Sequence, residues 1–214
     1  MTKDVTPAPT RSTYRHGDLR RALLDAGMAL ARDGGPEAVV LREATRRAGV
    51  VPNAAYRHFA NRQDLVQAVR DASLAALAVA MEAEMASAPA LADPKAAARA
   101  GLRAVGTAYL RFAQRETGLF RTAFVSPEHV NNDAVPEKAG ESGLNPFQLL
   151  GLALDNMVTA GVLAPARRPG AEYLAWSAVH GLAMLIIDGP LRMLGRDQAA
   201  LAGQRLLDMV EKGL

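Results

Sequence analysis

The chain has 214 residues and no cysteine, with 25 Lys and Arg against 22 Asp and Glu. That length supports one domain or two small ones around a proper apolar core, while the lack of cysteine excludes disulfides, thiolate metal sites and a cysteine nucleophile. Half of the residues are hydrophobic; Ala and Leu are abundant and β-branched residues few, which favours helix over sheet and predicts an all-α fold.

Residues 1–13, MTKDVTPAPTRST, are polar, Pro-rich and aperiodic, and read as a flexible arm. They lack the apolar stretch of a signal peptide, which points to a cytoplasmic chain. Asp18 can cap a first helix whose apolar stripe is Leu19, Leu23, Gly27 and Leu30, ended by Gly34, Gly35 and Pro36. A short second helix fits Leu41 to Ala48. Gly49 breaks it, and Pro52 stands where a third helix begins, to end near Phe59. Asn61 can cap a long fourth helix through about Met85.

Charge divides at this point. Residues 1–70 carry 12 basic and 7 acidic side chains, and residues 71–214 carry 13 and 15, so the N-terminal third is the candidate binder of a polyanion.

Asp93 and Pro94 suit the cap and first turn of a fifth helix, with Ala98, Leu102, Val105, Tyr109 and Phe112 on one face. A short piece follows around Leu119 to Phe124, and residues 126–145 read as a long loop. Asn145 and Pro146 restart helix, which carries Phe147, Leu150, Leu154 and Met157 as far as Gly161. Two further helices fit Ala171–Asp188 and Asp197–Lys212, giving about nine. The longest uncharged run, Tyr173–Ile187, is too short to span a bilayer and reads as a buried helix, so no membrane partner is expected.

The segment LREATRRAGVVPNAAYRHF, residues 41–59, has the parts of a helix-turn-helix: a short support helix, a tight turn and a recognition helix. Ala44 and Ala48 are small enough for two helices to cross closely, Gly49 permits the turn, and Val50 can plug the corner. Arg42, Tyr56, His58 and Arg62 remain for the outside, where the last three can donate to phosphates and Arg42 suits a guanine edge. The competing reading is an ordinary three-helix core on which Arg42, Arg57 and Arg62 are solvated charges.

With YRHGDLR before the first helix and Asn61–Arg62 after the tract, residues 14–70 resemble the TetR-like transcription regulators. Trp176, His180 and Gly181 resemble a motif of one TetR-like subgroup. The resemblance implies a DNA-binding domain over residues 14–60 and a helical ligand-binding and dimerisation domain over residues 61–214. It implies that Arg42 reads a base, that Pro52, Asn53 and Ala54 lie over the groove floor, and that Tyr56, His58 and Arg62 hold phosphates. Two positions depart from the family pattern: Val40 and Val51 stand where Ser or Thr usually caps the second and third helices. Each loses a capping hydroxyl, worth on the order of 1 kcal/mol of helix stability. The implied function is a ligand-responsive repressor. It binds double-stranded DNA as a homodimer, paired through the last two helices on a near-palindromic site, and is released by a small, mostly hydrophobic effector.

An Ala-rich helical domain with a few large side chains can enclose an apolar pocket. The candidate lining is Phe112, Phe120, Phe124, Met157, Trp176, His180 and Met184. Trp176, His180 and Met184 share one helix face, and Tyr173, Ser177 and Gly181 another that suits close helix contact. The same residues also read as a plain core stripe with His180 bonded to a backbone carbonyl. Neither a Gly-x-Ser-x-Gly elbow, a phosphate-binding Gly loop nor a His-Glu-x-x-His motif is present, and the histidines at 16, 58, 129 and 180 have no metal-ligand spacing. Ser142, in a Gly-Glu-Ser-Gly loop, has no recognisable catalytic partner. No enzyme, cofactor or metal is expected; a helical adaptor that binds only protein is the remaining alternative.

Overall fold

Capping and apolar periodicity set out the helices of the computed structural model, which describes residues 16–125 and 135–214. The elements are α1 (His16–Gly34), α2 (Leu41–Arg47), α3 (Pro52–Ala55), α4 (Arg62–Ser87), α5 (Pro94–Arg115), α6 (Thr117–Ala123), α7 (Pro146–Thr159), α8 (Ala171–Ile187) and α9 (Arg196–Gly213). Short 3-10 turns lie at Pro36–Ala38, Pro136–Lys138 and Pro165–Arg167, and no strand occurs among the described residues. The arm at 1–13 lies outside the described residues, as do residues 126–134 of the long loop.

Several starts have the chemistry their sequence predicts. Asn61 accepts from the Asp64 amide at 3.0 Å and opens α4, while Asp93 accepts from the Lys95 and Ala96 amides, both at 3.2 Å, and opens α5. Asn145 and Gln148 form a reciprocal capping box at α7, each side chain taking the other's amide at 2.9 Å. Val40, which caps α2, makes no side-chain bond to it, so that helix starts without a hydroxyl cap.

Two boundaries differ from expectation. The backbone is already helical at His16, so Asp18 lies inside α1 rather than at its cap. The third helix is shorter than its pattern: α3 ends at Ala55, and the Ala55 carbonyl accepts from both His58 (2.9 Å) and Phe59 (3.0 Å). That sharing tightens the last turn and brings Phe59 into the core.

The head, α1 to α3, meets α4 through α1; α5, α6 and α7 pack on α4, and α8 and α9 pack on α5 and on each other. Gly27 lets α4 approach α1, since an added Cβ would lie 2.7 Å from Val69 Cγ2. The stripe predicted for α5, from Ala98 to Phe112, is buried along its whole length. One cluster of buried apolar side chains runs from Leu23 in α1 to Leu214, so the core continues across the junction at residues 60 and 61. α4 is therefore common to both ends of the molecule.

The loop before α7 is fastened to α4 by one carboxylate. Glu82 accepts from the backbone amides of Glu141 (2.8 Å) and Ser142 (3.0 Å) and from the Ser142 hydroxyl (2.5 Å). These bonds hold the carboxyl of Glu82 below its usual range against the opposing effect of burial. Gly140 leaves room for that carboxylate, since a Cβ would lie 2.5 Å from the Glu82 oxygens. Ser142 thus has a structural partner on α4.

Candidate nucleic-acid interface and internal cavity

The corner between α2 and α3 is built from small buried side chains. Ala44 and Ala55 are fully buried, Val50 packs into the core, and Gly49 takes φ +67°, a conformation that a side chain would strain. The chemistry of the head then faces outward. Arg42 is exposed near the start of α2 and Asn53 is exposed on α3; Tyr56 and Arg57 are exposed just after it, with His58 half-buried. Arg42 and Arg57 form no ion pair among the described residues. Arg46 and Arg47, by contrast, are bound to Glu43 and Asp33. Arg42 and Arg57 are thus exposed on the same helical corner that exposes Asn53 and Tyr56, residue types suited to phosphates and base edges.

At the other end, a cavity of about 420 Å³ opens between α4, α5, α7, α8 and α9. Its aromatic wall comprises Tyr109, Phe124, Phe147, Trp176 and His180. The Trp176 indole donates to Tyr109 Oη at 3.0 Å, and Tyr109 Oη lies 2.7 Å from His180 Nδ1. Burial pushes the Tyr109 phenol well above its ordinary range, so it keeps its proton; burial also lowers His180, which favours the neutral ring near pH 7. Phe124 meets the His180 ring edge-on, with centroids 4.9 Å apart, and Phe120 stacks behind it at 5.7 Å.

The charged residues in the cavity wall are matched. Arg103 binds Asp208 (2.5 Å) and Glu211 (2.9 Å), and Arg70 and Lys138 both approach Asp71, at 3.6 and 3.8 Å. Among the described residues, no group of His, Asp and Glu could hold a metal ion, and no helix is long and apolar enough to cross a membrane.

Comparison with known families decides what this arrangement belongs to. The model described as "Tetracyclin repressor-like, C-terminal domain" matches residues 102–210, half of the chain, and that described as "Bacterial regulatory proteins, tetR family" matches residues 23–69. The chain belongs to the TetR family. It is accordingly a helix-turn-helix transcription regulator that binds DNA, not an enzyme.

Solved structures share the TetR fold. A protein of unknown function from Rhodococcus sp. RHA1 is 25% identical, with TM-score 0.73 and coverage of 95% of this chain and 99% of that one. The TetR family regulator PfmR from Thermus thermophilus is 20% identical (TM-score 0.54, coverage 90% and 98%). A TetR-family regulator from Pectobacterium atrosepticum is also 20% identical (TM-score 0.56, coverage 95% and 93%). No match is found among curated proteins.

Within this TetR-family chain the predicted site residues have separate fates. Arg42, Asn53 and Tyr56 are exposed together with Val51; Ala54 and His58 are half-buried, and the side chain of Pro52 lies outside the described residues. The Arg62 guanidinium donates to the carbonyls of Val39 (2.9 Å) and Pro36 (2.8 Å) and lies 3.6 Å from Glu37, so it ties the start of α4 to the turn before α2. Arg62 thereby adds side-chain donors to carbonyls of that turn, of which the Pro36 carbonyl also accepts from the Val39 amide at 3.2 Å.

Of the seven residues expected in the pocket, Phe124, Trp176 and His180 line the cavity. Phe112, Phe120 and Met157 do not: they are buried in the packed core around it. Met184 does not either, being exposed on α8. Over eight residues a four-residue spacing drifts around a helix, because two such steps exceed two turns of 3.6 residues. Tyr109 and Phe147 were missed as lining, although Tyr109 carried a signal: a polar aromatic on a buried stripe needs a partner for its hydroxyl.

Proposed function

We propose that the protein is a ligand-responsive repressor that binds a near-palindromic operator as a homodimer and leaves it when a small, mostly hydrophobic effector enters the cavity. Arg42 reads a base, Asn53 and Ala54 face the groove floor with Val51 and Pro52 at the helix start, and Tyr56 and His58 hold phosphates. The protein acts in the cytoplasm. It belongs to the subgroup with the Trp176, His180 and Gly181 motif, a reading supported by Trp176 and His180 sharing the Tyr109 hydroxyl.

Dimerisation is supported by the outer surface of α8 and α9, where Tyr173, Leu174, Leu185, Leu201 and Met209 are all exposed. Apolar side chains gathered on one surface mark an interaction site. Gly181 lies on that surface with nothing within 4 Å of where its Cβ would be, which admits a close helix from a second copy. Two heads would then reach successive major-groove faces, roughly 34–36 Å apart.

The observation that carries the effector reading is the cavity's position against α4, whose first turns hold the head. A second link runs through α6. Gly118 lies so close to the end of α1 that a Cβ would collide with the Ala31 carbonyl oxygen, and Arg32 donates to Glu116 at 2.7 Å. Phe124, just past α6, lies in the cavity wall. An occupant that displaces it shifts the support of the head.

The test is to select operator DNA from a random pool, then screen small molecules for its release while following the fluorescence of Trp176. Coupling is reciprocal, so an effector that lowers operator affinity must bind the DNA complex more weakly by the same factor, typically about 1 to 3 kcal/mol. Full release in a W176A/H180A variant would show that the effector site lies elsewhere.

A further inference from the structure

The aromatic wall of the cavity contains one polar chain, and its hydrogen bonds can be assigned atom by atom. Trp176 Nε1–H only donates, so Tyr109 Oη is its acceptor at 3.0 Å. The remaining contact of Tyr109 Oη is His180 Nδ1 at 2.7 Å. If Nδ1 carried the proton, the phenol would accept twice and its own O–H, on a nearly fully buried residue, would be left without a partner. If the phenol donates, every group in the chain is satisfied and the imidazole proton sits on Nε2.

Nε2 takes no partner among the described residues, and the His180 ring is half-buried. His180 itself lines the cavity. Around it the wall is Phe124, Phe147, Trp176 and Tyr109, and the charged lining residues Arg70, Arg103 and Lys138 are paired with Asp71, Asp208 and Glu211.

We propose that the effector is an uncharged aromatic molecule recognised through one oxygen acceptor, which takes a hydrogen bond from Nε2–H of His180 in a tautomer fixed by Trp176 and Tyr109. The inference rests on the cavity being the effector site and adds the chemistry of its occupant. Flat π surfaces suit the aromatic wall. A donor set in an aromatic wall discriminates against a molecule that cannot use it, because its binding would leave Nε2–H buried and unpaired. Tyr109 and Trp176 are positioning residues.

Two measurements on the full-length protein test this. The first is the ¹⁵N imidazole spectrum near pH 7.5, with His180 assigned by its loss in H180F; it should show a bare Nδ1 and a protonated Nε2, and a protonated Nδ1 overturns the assignment. The second compares fluorenone with fluorene, tricyclic probes that differ by one carbonyl oxygen, by quenching of Trp176. Fluorenone should bind roughly tenfold more tightly. H180F, which keeps a ring of similar shape, should bind both probes alike, and Y109F should lose part of the preference by freeing the tautomer. Equal binding to the parent protein, or an undiminished preference in H180F, overturns the proposal while quenching still supports the cavity as a receptor. Failure of both probes to quench overturns the aromatic assignment and the cavity reading together.

Discussion

The two ends of the molecule use the same kinds of residue in opposite directions. In the head, small side chains such as Ala44 and Ala55 are inside, and Arg42, Asn53, Tyr56 and Arg57 are outside. In the body, Tyr109, Trp176 and His180 turn toward an internal cavity, and apolar side chains of α8 and α9, Leu174 and Met209 among them, face solvent. An outward polar face on a rigid corner acts on something larger than the protein, whereas an inward aromatic wall acts on something smaller. α4 is held at both ends, by Arg62 at the head and by Glu82 at the loop before α7, so it can transmit one event to the other.

The largest effect should come from breaking the outer surface of the body. A Cβ at Gly181 would meet no neighbouring atom within 4 Å, so Gly181→Arg should retain helicity by circular dichroism while light scattering reports a monomer. Operator affinity should fall on the order of 10²-fold or more, because two half-sites no longer bind as one unit. A monomer that still binds DNA tightly would remove the dimer from the account.

The next two changes separate reading from holding within the head. Arg42→Ala should cost roughly 1 to 3 kcal/mol of operator binding and relax preference at one base pair per half-site. Arg62→Met removes donors to the Val39 and Pro36 carbonyls. It should cost about 1 to 2 kcal/mol of folding stability, discounted for its exposure to solvent, and should leave the salt dependence of DNA binding unchanged. A salt slope flattened by about one would instead mark Arg62 as a phosphate contact. The smallest expected effect is a gain. Val40→Thr restores a capping hydroxyl at an exposed position and should stabilise the protein by about 0.5 to 1 kcal/mol in thermal unfolding.

The head was legible because its information is local. A few residues, Ala44, Gly49 and Pro52, set the helix-turn-helix, and Asn61 marks the start of α4 within one position. The contacts of Arg62 were not legible, because its partners, Pro36 and Val39, belong to a turn 26 and 23 residues earlier. A sequence motif places such a side chain on a helix but does not say which carbonyls come near it.

The body was legible as helices and much less as a site. The stripe of α5 showed which face is buried, but burial against packed neighbours and burial beside a cavity leave the same pattern in sequence. Phe120 and Met157 fill the core, whereas Phe124 and Phe147 border empty space, and that distinction depends on how α5, α7 and α8 meet. The link between Trp176 and Tyr109 spans 67 residues and has no local signal.

The central claim, that the outward face of the head reads DNA, is tested most directly by selecting bound duplexes from a random pool with the full-length protein and measuring the winners across salt. The account predicts enrichment of a near-palindrome whose half-sites lie one helical turn apart or a multiple of it, with affinity falling steeply as salt rises. Recovery of no preferred sequence, together with no salt-dependent retention of DNA, would contradict it and leave a helical protein whose partner is another protein.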